Sequence, residues 1–147
     1  MSGVVCAIRG GPSSEATIQR AIRLAKDEAM PLHLLYVVNL DFLTHTESSR
    51  TRLVSDELEQ MGDFILLSAQ SKAEAQGIEA NGTVRQGNVG EQIVELAREV
   101  EADYVVMGKP EGQGQENVFT GERIQAFSSQ IEQESGARVV LVEAVDS

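Results

Sequence analysis

Short apolar runs separated by amphipathic segments dominate the sequence. Residues Val4–Ile8, Leu32–Val38 and 104–107 are almost continuously apolar and too short to be helices. Such runs are typical of strands that are covered on both faces of a sheet. A last apolar strand is expected over residues 138–145. A weaker strand is expected over 78–85, where polar residues and a glycine favour a position at the sheet edge.

The segments between these strands carry apolar residues at the three- and four-residue spacing of a helix. The first helix is expected to begin near Ser13, and Asn88 with Glu91 forms a capping-box-like start to the third. Gly77 and Gly136 are expected to end the second and fourth helices. The positions expected to face the sheet are Ile18, Ala21, Ile22, Ala25 and Ala29 in the first helix, Val54, Leu58, Met61 and Ile65 in the second, Ile93, Leu96, Ala97 and Val100 in the third, and Ile124, Phe127 and Ile131 in the fourth.

The resulting order, β-α-β-α-β-α-β-α-β, predicts a single α/β domain over residues 1–147. Consecutive parallel strands require right-handed crossovers, which place helices on both faces of the sheet and give a three-layer αβα sandwich. Ligands of such folds bind beyond the carboxyl ends of the strands. Any binding site is therefore expected at that edge.

Charge and composition narrow the classes of partner. The net charge of −11 opposes binding to nucleic acid and to anionic membrane surfaces, and no apolar run approaches the length of a membrane span. The chain starts without the basic segment and cleavage site of a secretory signal, so a cytoplasmic location is expected. The single cysteine, Cys6, lies in the first apolar run and is expected to pack as a small hydrophobe.

The sequence Ala-Asp-Tyr-Val-Val-Met-Gly at residues 102–108, together with the loop that follows it, resembles the universal stress protein family. The first strand and helix, residues 94–107 and the C-terminal apolar strand also look like this family, so the resemblance covers nearly the whole chain. Together with the crossover rule it implies a five-stranded parallel sheet in the order 3-2-1-4-5, with two helices on each face.

The resemblance also implies an adenine-nucleotide site, ATP or AMP, whose motif is altered here. In ATP-binding members a glycine ends the fourth strand, a second glycine follows three residues later, and a Gly-Ser or Gly-Thr pair comes after nine more. The matching positions are Gly108, Glu111, Gly121 and Glu122. Glycines let a backbone approach phosphate, whereas each glutamate adds a like charge that costs about 4 kcal/mol at about 4 Å and an effective dielectric of about 20, before screening.

Other positions around the expected nucleotide site follow from the same resemblance. Arg9 stands where ATP-binding relatives carry an aspartate near the end of the first strand, and Val37 matches a valine that lines the adenine pocket. Met107 precedes the motif glycine, and Gly112 lies off register in the loop. The cations of this region, which offer contacts to phosphate, are Arg9, Lys109 and Arg123.

Signals for catalysis or metal binding are weak. The loop from Arg9 to Ser14 has a superficial likeness to the pyrophosphate-binding loop of ATP pyrophosphatases, but a capped strand-to-helix turn needs the same glycines. His33 and His45 have no cysteine or carboxylate at a zinc-binding spacing, and no nucleophile pairs with His45 in the sequence. No metal site and no catalytic residue are therefore predicted.

The last strand offers an interface between two copies of the chain. It is the final edge of the expected sheet, and Val139, Val140, Leu141 and Val142 are apolar, so an unpaired edge there would favour aggregation. Family members similarly pair this strand with its twofold mate. The favoured interpretation is thus a non-catalytic, homodimeric stress-response or sensor protein with a weakened or lost nucleotide site. The alternative is a universal stress protein that binds ATP or AMP, with slow or no hydrolysis.

Overall fold

The structure, a computed structural model, describes residues 3–8, 14–38, 48–108 and 121–142; at 14, 48–55 and 121–124 it describes the backbone alone. Strands and helices alternate throughout these ranges. In chain order they are β1 Val4–Ile8, α1 Ser14–Glu28, β2 Leu32–Val38, α2 Ser48–Ala75, β3 Ala80–Gln86, α3 Val89–Glu99, β4 Tyr104–Gly108, α4 Gly121–Ser135 and β5 Arg138–Val142.

The strands form one parallel sheet in the order β3-β2-β1-β4-β5, which confirms the predicted topology. Val4 of β1 lies between Leu32 of β2 and Tyr104 of β4. The described edges of the sheet are therefore β3, as predicted from its polar composition, and β5.

Two helices cover each face, because side chains alternate along the buried strands. Val4, Cys6 and Ile8 belong to the core under α1 and α2, whereas Val5 belongs to the core under α3 and α4. The two helix pairs bury Ile18, Ala21, Ile22, Ala25, Leu66, Ala69 and Ala73 on one side and Ile93, Val94, Leu96, Ala97 and Ile131 on the other.

The predicted buried stripe of α2 is wrong at Met61, whereas Ile65 packs against the core under α1 and α2. Met61 is 51% exposed, Leu58 and Ile65 are only half-buried, and the Val54 side chain lies outside the described residues. The buried face consists instead of Gly62, Leu66, Ala69 and Ala73. Three of these four residues are small, which lets the helix approach the sheet closely. A Cβ atom on Gly62 would lie 2.5 Å from Cδ2 of Tyr36 on β2.

The helix ends follow the predicted caps closely. The Asn88 side chain accepts a hydrogen bond from the Glu91 backbone N–H at 3.0 Å, as the capping-box spacing predicts. Gly77 and Gly136 have φ angles of 80° and 81°, and each comes directly after the end of a helix or within two residues of it. Ala29, which was expected on the buried face of α1, is exposed and lies beyond the helix with φ 56°.

Two strand boundaries differ from the prediction. β3 begins at Ala80, two residues later than expected, and ends at Gln86, one residue later than expected. Residues 78–79 belong to the segment that connects α2 to this strand. β5 is described up to Val142, and residues 143–145 of the predicted strand lie outside the described residues. Helix α1 is described from Ser14, so the predicted start at Ser13 also lies outside them.

Side-chain bonds tie the β3 edge to the neighbouring helices. Arg85 of β3 donates two hydrogen bonds to Glu99 of α3, at 3.2 and 2.7 Å. Gln86 donates one to Glu59 of α2 at 2.6 Å. These glutamates therefore hold specific partners at the surface and are not simply solvated. The hydrogen bond from Arg85 also holds the pKa of Glu99 below its usual value.

Cys6 packs as predicted, fully buried between β2, β4 and α1 residues of the core. Burial raises the pKa of the thiol from 9.0 to about 12. At neutral pH a protonated, enclosed thiol is a poor nucleophile. We expect it to resist Ellman's reagent in native buffer and to react fully in denaturant; rapid reaction of the native protein would contradict this packing.

The same pKa shift predicts a pH dependence of stability. Below pH 9 the thiol is protonated in both states, so it contributes no pH dependence. Between about pH 9 and 12 the unfolded chain ionises while the folded protein does not, so the free energy of unfolding falls as pH rises. Urea unfolding of the wild type and of Cys6→Ala should show that the stability difference between them shrinks above pH 9. A constant difference across this range would contradict the assignment.

Candidate functional site

The carboxyl edge of the sheet is where the chain can hold a ligand. The strand order changes direction at β1, which lies between β2 and β4, so the topological switch point falls between β1 and β4. A crevice opens beyond the carboxyl ends of the strands at such a point. Helix α1 leaves this edge over one face of the sheet and α4 over the other. The described residues that border the crevice are Ile8, Val38 and Gly108 at the strand ends and Ser14 and Gly121 at the helix starts.

Gly108, the motif glycine that ends β4, lies against helix α1. A Cβ atom at this position would lie 2.8 Å from Oγ1 of Thr17, closer than real Cβ atoms come to a neighbour. Thr17 is only 4% exposed and sits in the first turn or so of α1, so it cannot swing away into solvent. A side chain at position 108 would therefore force Thr17 or the neighbouring backbone to shift, so the packing of α1 against the end of β4 favours a glycine whether or not a phosphate binds.

Met107 and Val37 contribute their side chains to the core under α3 and α4. Met107 is 6% exposed, and Val37 is half-buried against the same cluster. Their backbones reach the carboxyl edge, while their side chains fill space beneath the crevice. Both residues therefore pack as core residues, and their contacts with a nucleotide stay predictions.

Helix N-termini provide the positive potential at this edge. Gly121 is the first residue of α4, so the family-like Gly-x pair marks a helix start, where free backbone N–H groups favour an anion. At α3 one such donor is already used, because the Asn88 carboxamide oxygen accepts from the Glu91 N–H. Gly87, with φ 139°, makes the turn that leads from β3 into this cap.

Several predicted site residues lie outside the described residues. These are Arg9, Lys109, Glu111 and Gly112. For Glu122 and Arg123 the backbone belongs to the first turn of α4, and the side chains are not described. The predicted contacts of these residues with a nucleotide stay predictions.

Thr17 and Arg85 are two residues of this edge that the sequence did not single out. Nothing in the spacing of α1 marks Thr17, because its burial depends on the contact with Gly108. Arg85 lies near the carboxyl end of the edge strand β3, opposite Val37. It is occupied, since both nitrogens of its guanidinium fork bind Glu99 and one lies 3.9 Å from Glu95.

The opposite, amino edge of the sheet carries an open cavity of about 620 Å³. Glu28, Asp103 and Glu132 line it together with Tyr104 and Arg138. His33 also belongs to this half of β2, and partial burial lowers its pKa. Within the described ranges no three histidine, cysteine or carboxylate side chains are grouped as metal ligands, and no described helix is long and apolar enough to cross a membrane.

The outer edge of β5 is partly occupied by the chain itself. The Arg138 N–H donates to the Asp103 carbonyl at 2.9 Å, toward β4. In a parallel ladder alternate residues face opposite sides, so Val139 and Leu141 direct their N–H groups outward. The outward Val139 N–H donates to Oε2 of Glu132 on α4 at 2.9 Å. Glu132 thus caps the first donor of this edge.

Comparison with known proteins places the chain among its relatives. Residues 1–126 match the model of the universal stress protein family. Universal stress protein MJ0531 of Methanocaldococcus jannaschii is 27% identical over 119 residues, which are 80% of this chain and 70% of that protein.

Two solved structures show the same fold. One is a universal stress protein in complex with cAMP, with a TM-score of 0.69, 22% identity and coverage of 98% of both chains. The other, from Archaeoglobus fulgidus in complex with dAMP, has a TM-score of 0.62, 16% identity and coverage of 97% of both chains. With the family model matching most of the sequence and the sheet order in agreement, the chain belongs to the universal stress protein family.

Proposed function

We propose that this universal stress protein is a non-catalytic homodimer whose crevice at the carboxyl edge has lost tight binding of ATP. Such a protein acts through contacts with partner proteins, and the remaining residues of the nucleotide-binding motif serve mainly to stabilise the fold. The proposal rests on what the remaining motif residues do in the fold, on the charges in the motif and on the geometry of β5.

The observation that carries the proposal is the contact between Gly108 and Thr17. A glycine that ends this strand is expected for phosphate binding, but packing alone also favours it here, because a Cβ atom at position 108 would lie 2.8 Å from Oγ1 of Thr17. Met107 and Val37 are likewise accounted for by the core under α3 and α4. The described motif residues therefore persist for reasons that do not require a nucleotide.

The charges of the motif oppose a triphosphate. Glu111 and Glu122 occupy the second glycine position and the hydroxyl position of the motif. Glu122 follows directly on Gly121, in the first turn of α4, where the helix dipole favours anions. The negative charge of Glu122 therefore opposes the binding of a phosphate at this helix N-terminus.

A second candidate function is binding of an adenine nucleoside monophosphate. It is supported by the two structural neighbours that were solved with cAMP and dAMP. A monophosphate carries less charge than ATP, so it suffers less repulsion from Glu111 and Glu122. In this alternative the crevice still binds the adenine group of the nucleotide but no longer binds a triphosphate.

The homodimer is supported by the edge position of β5. Its apolar residues from Val139 to Val142 are each half-buried in the described chain, and a bare apolar edge favours pairing with another strand. With Val139 capped by Glu132, the outward N–H of Leu141 is the donor that β5 offers to a partner strand. A twofold-related copy presents the same edge and satisfies it reciprocally.

Restoring the motif should restore ATP binding. Isothermal titration calorimetry of the wild type with ATP and magnesium is expected to show no binding at micromolar concentrations, whereas Glu111→Gly/Glu122→Ser should bind because two like charges are removed. Titration of both proteins with AMP separates the second candidate. Glu57→Gln/Glu74→Gln serves as the matched control, since it removes two exposed carboxylates from α2 and should not change ATP binding. Micromolar binding of ATP by the wild type would contradict the proposal.

A pair of proline variants tests the dimer through the backbone. Val140 and Val142 pack against the core under α1 and α2, so changing their side chains would disturb the fold. Leu141→Pro removes the outward donor, and proline is tolerated on an edge strand where its nitrogen faces outward. Leu141 and Val139 both pack against the core under α3 and α4, so proline at either position loses similar side-chain packing and only the donor differs. Sedimentation velocity is expected to show a dimer for the wild type and a monomer for Leu141→Pro.

Val139→Pro is the matched control for this experiment. It removes an outward N–H that Glu132 already occupies, so the dimer should persist. Circular dichroism on both variants monitors the fold. A monomeric wild type, or a Leu141→Pro protein that stays dimeric with an intact fold, would overturn the proposed interface.

A further inference from the structure

The outer face of α2 exposes three large apolar side chains. Met61 is 51% exposed, Phe64 is 73% exposed and Leu67 is 64% exposed. They follow one another at three-residue spacing and form one patch across the helix, which we call the α2 outer patch. Its exposed area is on the order of 300 Å², a size at which patches on monomeric proteins are often functional.

The α2 outer patch is separate from the core of the protein. Gly62, Leu66, Ala69 and Ala73 already form a complete buried face that packs on the sheet. Since a helix has 3.6 residues per turn, Phe64 and Leu67 lie on the other side of α2 from these residues. Burial within the described chain therefore does not account for the patch.

Carboxylates accompany the α2 outer patch on both sides. Glu57 precedes Met61 by four residues and Asp63 precedes Leu67 by four, so each lies next to a patch residue on the helix surface. Both are exposed. The nearby cation Lys72 forms an ion pair with Glu15 of α1 and is not free to neutralise them.

We propose that the α2 outer patch is a docking site for a basic amphipathic helix of another protein. The apolar side chains of such a helix cover Met61, Phe64 and Leu67, and its lysine or arginine side chains pair with Glu57 and Asp63. This is helix recognition through apolar anchors at helical spacing, with charge selecting the partner.

Charge and area argue for this partner over a second copy of the chain. Two α2 outer patches facing each other would bring Glu57 and Asp63 of both copies together, and like charges repel. The patch is also well below the roughly 800 Å² that each partner buries in a standard stable interface. A short helix of opposite charge fits both constraints, with an affinity suited to a reversible contact.

The experiment uses a synthetic peptide with these properties. A fluorescein-labelled amphipathic peptide with Leu at i, i+3, i+4 and i+7 and Lys at the flanking positions is titrated with the full-length protein, and anisotropy is measured. A second peptide carries Glu at every Lys position. The wild type should bind the Lys peptide and not the Glu peptide, and binding of the Lys peptide should weaken with added salt.

Protein variants locate the binding surface. Phe64→Ala/Leu67→Ala should weaken binding of the Lys peptide by about tenfold or more, because the apolar anchors are lost. Val89→Ala is the matched control, since Val89 is 37% exposed on α3 and should leave binding unchanged. Glu57→Gln/Asp63→Asn should reduce both the affinity and its dependence on salt.

Three outcomes would overturn the proposal. The first is a wild type that does not bind the Lys peptide, and the second is equal binding by Phe64→Ala/Leu67→Ala, which would show attachment elsewhere on the acidic surface. The third is loss of self-association by that variant in sedimentation velocity, which would show that a second copy covers the patch. None of these outcomes depends on nucleotide binding or on pairing through β5.

Discussion

Burial of a parallel sheet on both faces is the constraint on which the rest of this structure depends. Parallel neighbours cannot be joined by tight turns, so each strand is followed by a helix that crosses one face. The described helices consequently all begin at the carboxyl edge of the sheet. The N-termini of α1 and α4, which follow the central strands β1 and β4, therefore lie on the carboxyl side of the sheet, where helix dipoles favour an anion.

The same constraint gives Gly108, a residue of the expected nucleotide site, a role in the packing of the fold. Helix α1 must pack closely on β1 and β4 to bury Ile18, Ala21 and Ile22, and that approach brings Thr17 against Gly108. Gly108 thus has a packing role in this chain that does not depend on a phosphate. This packing does not depend on phosphate contacts at positions 111 and 122, as the proposed function requires.

Much of the fold could be predicted from the sequence, because a buried strand in a parallel sheet is a continuous apolar run. The bounds of β1 and β2 agree with the prediction for this reason. The prediction that Met61 lies on the buried face of α2 was wrong because large apolar residues were assumed to point inward. The small residues Gly62, Ala69 and Ala73 face the sheet instead and allow the closest approach of the helix. Thr17 and the Glu132 cap on Val139 could not be found from spacing, since both depend on tertiary contacts.

The most direct test of the central claim is a double-mutant cycle on the free energy of unfolding, measured without nucleotide for wild type, Gly108→Ala, Thr17→Ala and the double variant. If Gly108 is kept for packing, Gly108→Ala should cost about 1–3 kcal/mol, as overpacking of a buried site does. The cost should largely disappear in the Thr17→Ala background, where Oγ1 is absent. A Gly108→Ala protein as stable as the wild type, or a cost that is unchanged in the Thr17→Ala background, would contradict the claim.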